Sequence, residues 1–357
     1  MIKSIYADSD NTIYERSGSL NAGIDQLLEL SKVSSSAGIY SSRILIKFPL
    51  NDISASVASG KINQPRFYLN LYQAGAFEVP REYTLVSYPV SQSWDEGSGR
   101  KLEPTDLNLF NNQASSWIYR DKQASSIEYI ATRDTQWNSS SLADGSAMVY
   151  NNVTGGGTWY SDYYGTQSFE HESADLRMDV TPAIQYLLTG SRSNDGLILL
   201  RSGSQETNST VYQPRLEVVY DDSSFDSTGL TELTSEQSVI YLKNLKQEYS
   251  LKEEPKIRVV GRDRYPTKTF STQSNYKDIK FLPTSSYYGI KDAITEEYIV
   301  PYSNTGTKLS CDSSGNFFKL EMNSFMPERY YKLCFQVTQS DSSVVVYDEN
   351  FYFKVVR

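Results

Sequence analysis

A single histidine, His171, stands in this chain of 357 residues, flanked by Glu170 and Glu172 in a polar segment. A Ser-His-Asp or Cys-His triad would have to be built on it, and no Gly-X-Ser-X-Gly turn accompanies it. Only two cysteines occur, Cys311 and Cys334. They form no disulfide framework and are expected to be free thiols, the alternative being a pair across neighbouring strands. With one imidazole beside them they also argue against zinc. Gly155-Gly-Gly157 has no basic residue after it, so it reads as a flexible turn and not a phosphate cradle. Glycoside hydrolysis needs only two facing carboxylates, but adjacent residues such as Asp95 and Glu96 point to opposite faces of a strand. The expectation is a protein that is not an enzyme.

Long apolar runs are missing too. No stretch approaches the length that crosses a bilayer, and Met-Ile-Lys-Ser-Ile-Tyr-Ala-Asp lacks the apolar core of a signal peptide. The net charge of -9, without a basic run, opposes binding to a phosphate backbone. Neither nucleic acid nor membrane is expected as a partner, and synthesis in a cytoplasm is.

What is abundant is aromatic. The chain has 28 Tyr and 14 Phe against 5 Met, a mixture that suits pleated surfaces better than helices. In Ser42-Arg-Ile-Leu-Ile-Lys-Phe48, Ile44, Ile46 and Phe48 fall on one face and Arg43, Leu45 and Lys47 on the other, the period of a half-buried strand. Asp175-Leu-Arg-Met-Asp-Val-Thr181 repeats the alternation. Further strands are expected at 67–72, 83–90, 126–131, 197–200 and 215–220, separated by Ser, Gly, Asn and Pro. One short helix is expected after Val180, capped by Thr181, with Pro182 in its first turn and Gly190 at its end. The polar, Gly-terminated stretch after Tyr220 reads as a linker. The expected organisation is all-β: an N-terminal jelly-roll β-sandwich over 1–222, a linker over 223–236, and an Ig-like or fibronectin-like β-sandwich over 237–357. The second domain has strand candidates at 238–242, 256–260, 317–322, 330–337, 344–347 and 351–355, the spacing of seven strands. No Trp follows Trp159, which excludes the antibody-type Cys-Trp-Cys pattern.

Several segments recur in a known order: Ala7-Asp8, Ser42 to Phe48, Ser93-Trp-Asp-Glu-Gly97, Asp179-Val-Thr181, Asn194-Asp-Gly-Leu-Ile-Leu199 and Pro214-Arg-Leu-Glu-Val-Val-Tyr220. In this series residues 1–222 resemble the DNRLRE family of β-sandwiches, which are similar to carbohydrate-binding modules with a jelly-roll fold. Adding Gly155-Gly-Gly-Thr-Trp-Tyr160, Gln167-Ser-Phe169 and the Ig-like domain, the chain resembles virion structural proteins of large tailed marine bacteriophages. The resemblance implies a non-enzymatic head, neck or tail component, assembled in host cytoplasm. Its partners would be other virion proteins and copies of itself in an oligomer. The alternative is a glycan-binding adhesion module contacting the host surface.

Sugar binding needs flat aromatic faces beside hydrogen-bonding groups. Trp159-Tyr160-Ser-Asp162-Tyr163-Tyr164 supplies both, and is equally suited to packing under its Gly-rich loop or to a subunit interface. Trp94 offers a platform beside Asp95 and Glu96, or an indole that pins its loop to the core. No cofactor is expected beyond a structural calcium, for which Asp8, Asp10, Asn11, Asp221 and Asp222 are the oxygen-bearing candidates.

Overall fold

The computed structural model describes residues 1–36, 38–77, 82–101, 114–122, 135–137, 149–151, 155–170, 175–189, 192–202, 207–234, 238–265, 280–339 and 341–357. The strand expected at 126–131, the helix end at Gly190 and His171 lie outside them. The chain forms two compact units, one of residues 5–58 and 66–217, the other of residues 1–4, 59–65 and 218–357.

In the first unit the strand Gly38–Lys47 belongs to two hydrogen-bonded layers. Its first half pairs with Leu28–Ser35, Lys32 opposite Ser41. Its second half pairs with Ser9–Tyr14 and with Leu197–Ser202, Ile44 facing Thr12 on one side and Leu199 on the other. Glu82–Pro89 and Gly165–Glu170 extend that layer, while Thr207–Val219, Arg66–Phe77 and Leu176–Asp179 extend the layer begun by Leu28–Ser35. The result is the expected all-β sandwich. Leu176, Met178 and Val180 are buried while Arg177 and Asp179 are exposed, as their alternation requires.

The first segment departs from its alternation. Ile44, Leu45 and Ile46 are all fully buried. Leu45 is covered because Ile13, Val90, Ile198, Trp117 and Trp137 form a second apolar cluster around it. The strand is therefore buried on both faces rather than half-buried.

Two α-helices occur among the described residues, where one was expected. Thr181–Leu188 buries Ala183, Ile184, Tyr186 and Leu187. Thr181 is its first residue and not its cap; the Thr181 hydroxyl instead accepts a hydrogen bond from Phe67 N at 2.8 Å. The second helix, Asn51–Ala58, buries only Ile53, so it carries almost no apolar periodicity to read.

The second unit has two sheets. In one, Lys256–Asp263 lies between Ser238–Lys243 and Gly315–Lys319. In the other, Tyr330–Thr338 lies between Ser286–Asp292 and Val344–Val356, and Glu248–Ser250 adds to Val344–Val356 in parallel. This is a two-sheet, mostly antiparallel β arrangement. It has more strands than the expected seven, six in one sheet and five in the other. The two strands expected over 344–347 and 351–355 are one, because a bulge opposite Cys334 absorbs Asp348 to Asn350 without ending the pairing. Met322 leaves its expected strand for a short 3-10 turn.

Of the linker expected over 223–236, the described residues 223–234 are not free. Phe225 bridges to Cys311, Asp226 N donates to Cys311 O at 3.0 Å, and Leu233 enters the core of the second unit. That core is aromatic, with Phe318, Phe325, Phe335, Phe353, Tyr249, Tyr288 and Tyr331 packed among Ile and Leu.

Cys311 and Cys334 sit on strands of different sheets, both buried and free, and burial pushes each thiol up to about 11. Neither is therefore expected to react with a thiol reagent at pH 8 until the unit unfolds, and rapid native-state labelling would contradict this burial. Phe335→Ala removes a fully buried ring and is expected to destabilise the second unit by about 3–5 kcal/mol in urea unfolding.

Candidate functional site

The aromatic segment is positioned by its three glycines. Gly155, Gly156 and Gly157 all have φ near +90° to +100°, a region closed to most side chains. A Cβ on Gly155 would lie 2.3 Å from the Trp117 carbonyl oxygen, and one on Gly156 2.9 Å from the Trp117 ring. The sequence suggested a flexible turn; the loop is instead pressed onto Trp117, with Gly156 N donating to Trp117 O at 2.6 Å. Arg43 completes the clamp. Its guanidinium lies 4.6 Å from the Trp117 ring centre and 5.1 Å from that of Trp159, and donates to Gly156 O. Burial pulls Arg43 down to about 10, still protonated at neutral pH.

The expected cluster divides in two. Trp159 is partly buried and stacks on Tyr88 at 5.8 Å; Tyr88 in turn meets the exposed Tyr164 at 6.0 Å. These three rings form one surface strip. Tyr160 and Tyr163 turn instead toward Tyr186 on the Thr181–Leu188 helix, Tyr163 stacking on it at 3.9 Å and Tyr160 meeting it edge-on. Arg192 sits over Tyr160 and Tyr186 and donates to the Tyr160 hydroxyl at 2.7 Å. This second group fastens the segment to the helix. Asp162 is exposed beside Ser161, whose hydroxyl donates to it. Tyr88 was read only as a strand residue; its outward register with Thr84 and Val86 was the available signal.

Trp94 pins its loop. Its indole N–H donates to Asp195 O at 2.8 Å and its ring packs on the cluster around Leu45.

The calcium candidates are differently employed. Asn11 is fully buried, its amide nitrogen donating to Ser115 O and Ser115 Oγ while its oxygen accepts from Ala22 N. Asp8 is exposed, and Asp10 is half-buried beside Glu96, whose carboxylate accepts from Asp10 N at 2.9 Å. Asp221 and Asp222 belong to the other unit, where Asp221 accepts from Ser223 N and Asp222 pairs with the Met1 amino group at 3.0 Å. Among the described residues no group of three or more His, Cys, Asp or Glu is gathered to hold a metal ion.

A second surface was not anticipated. On the solvent side of the five-stranded sheet, the register places Lys332 opposite Tyr352 and Lys291, Lys291 opposite Tyr298, Tyr330 opposite Lys354, and Gln336 opposite Val346. Tyr298, Tyr330, Tyr352, Val344 and Val346 are between 41% and 56% exposed. At their centre Asp348 accepts hydrogen bonds from Lys291 and Lys332, which hold its carboxyl down at about 2. The alternating Tyr-Lys pairs of 330–332 and 352–354 carried the signal.

No family model and no curated protein matches the chain. Among solved structures, the adhesin domain of Epf from Streptococcus pyogenes is 9% identical, with 99% of this chain and 91% of that one covered and a TM-score of 0.18. The binding domain of botulinum neurotoxin DC in complex with SialylT is 8% identical, with 100% and 93% covered and a TM-score of 0.18. Likenesses of this degree carry no functional argument.

Burial, with Glu96 beside it, pushes the Asp10 carboxyl up to about 6. The folded state thus holds this proton more tightly than the unfolded chain, where the group titrates near 4. The ionised form costs stability above pH 6, and the cost vanishes as pH falls toward 4. Asp10→Asn is expected to stabilise the first unit by about 1–2 kcal/mol at pH 8 and to leave it nearly unchanged at pH 4. Urea unfolding at the two pH values checks this, and a loss of stability at pH 8 would refute it.

Proposed function

We propose that this protein is a non-enzymatic virion structural component, placed on the head, neck or tail of a tailed bacteriophage and working through protein-protein assembly surfaces. The observation that carries the reading is the tyrosine and valine face around Lys291, Asp348 and Lys332. Tyrosines joined to a fixed ion-pair centre present broad apolar area with polar tips at low entropic cost, the composition of interface cores. Their strands are already paired to both sides over Tyr330–Thr338, so the rings stand on a rigid support. The ordered series of segments through residues 1–222 supports a place on the particle, and repeated copies in an oligomer would multiply weak contacts.

The test is incorporation. Tyr330→Ser combined with Tyr352→Ser changes only half-exposed side chains, so folding is expected to be retained within about 1 kcal/mol. Incorporation into particles, or association with purified head, neck or tail proteins, is expected to fall by roughly tenfold or more, the loss of two interface tyrosines. Unchanged incorporation would sink this surface as the assembly face.

The strip of Tyr88, Trp159 and Tyr164 favours a second reading, a glycan-binding surface on a peripheral site. Tyr163 is occupied by Tyr186, so Tyr164 is the discriminating residue. Tyr164→Ala, an exposed change, is expected to abolish binding on a glycan array with stability intact if sugar is bound there; the assembly reading expects no array signal even from the unaltered chain.

A further inference from the structure

Among the described residues Arg201 is a buried cation with no anion paired to it. It lies on the strand Leu197–Ser202, on the face shared by Leu197 and Leu199 and opposite the one that Ile198 turns to the tryptophans. Only 7% of it is exposed, and its Nε and Nη1 make no hydrogen bond. Its one ring contact is Tyr83, whose centre is 5.4 Å from the guanidinium and which itself stacks on Phe169 at 4.7 Å.

The surroundings sharpen the imbalance. Burial lowers the pKa of Arg201, and among the described residues no carboxylate offsets it. The Lys32 ammonium is lowered by burial and then by repulsion from Arg201 and Arg43, which the Glu15 carboxylate offsets only in part. Glu82 and Glu170, near in register, are exposed on the outward face with the hydrogen-bonded pair Thr84 and Ser168. On the inward face Ser87, opposite Leu199, adds a fully buried hydroxyl with no partner. Leaving guanidinium N–H groups dry and unpaired is among the costlier arrangements a fold can hold. An arginine contacted by a ring, beside a second cation and with two N–H groups unpaired, has the donors of an oxyanion receptor.

We propose that Arg201 receives an oxyanion, a carboxylate or sulfate group, beside Tyr83 and Lys32 at the inward face of the Leu197–Ser202 strand. The two donors are shielded from water, so the anion engages them as the guanidinium lifts from the Tyr83 ring. The site is separate from both the tyrosine face and the Tyr88 strip, and its test is independent of theirs.

The experiment titrates the full chain with sodium sulfate and, separately, with sodium glucuronate, against sodium chloride at matched ionic strength. The arginine Nε–H resonances are followed by NMR together with the melting temperature. One saturable shift of the Arg201 Nε–H and a rise in melting temperature are expected. Saturation by glucuronate alone assigns the site to an acidic sugar or other carboxylate, and saturation by sulfate alone to inorganic or sulfate-bearing ligands. Arg201→Lys is expected to weaken binding about tenfold or more, since a point charge replaces a planar fork. Lys32→Gln, at a half-buried position, weakens it less and guards against a folding failure of the first variant. No saturable response beyond the chloride control, or a response that survives Arg201→Lys, would overturn the proposal.

Discussion

The first unit depends on one strand being buried on both faces. Gly38–Lys47 passes from one layer to the other, so its second half must satisfy neighbours on each edge and apolar partners on each side. Ile44 and Ile46 face the sandwich interior, and Leu45 needs a separate cover. The chain supplies that cover with Trp117 and Trp137, and Arg43, next to Leu45, reaches across to hold the glycine loop and Trp159. Core burial and the surface aromatics are therefore two ends of one arrangement. Changing Leu45 or Arg43 would disturb the Tyr88 strip, because Tyr88 and Trp159 pack on this cluster and Arg43 lies over Trp159.

How much of this was legible depends on how far apart the partners lie in sequence. The alternation of Leu176, Met178 and Val180 reports a neighbour on one face only, and the structure agrees. The same pattern at Ile44 and Ile46 misled, because Leu45 is covered by Ile13, Val90, Trp117, Trp137 and Ile198, none of them a neighbour in sequence, and nothing local records them. Asp348-Glu-Asn350 reads as a turn on polarity, yet it is a bulge, since Tyr347 and Phe351 keep their pairing with Phe335 and Leu333 on either side. The aromatic segment was found by composition. Its division between Tyr88 and Tyr186 was not, because ring pairing is set by tertiary packing. The oxygen-rich residues Asn11 and Asp222 were flagged for their ligand chemistry, but buried amide and amino-terminal partners had already taken them.

The two units present aromatic side chains in different ways. In the first, Tyr160 and Tyr163 fasten a loop to the Thr181–Leu188 helix, and the strip of Tyr88, Trp159 and Tyr164 stands outward. In the second, aromatic residues fill the core, and a separate set of tyrosines stands in register outside it. Such a face is uncommon on a protein that acts alone, where contiguous exposed apolar area is kept small. The lysine-aspartate centre fixes it as a patterned surface, and that is what an assembly contact requires.

The most direct measurement is hydroxyl-radical footprinting by mass spectrometry, comparing the purified chain with intact particles. The account predicts that the chain is found in the particles, and that Tyr298, Tyr330 and Tyr352 are oxidised in the free chain and protected in the particle. Absence of the chain from particles, or equal oxidation of these tyrosines in both states, would contradict it.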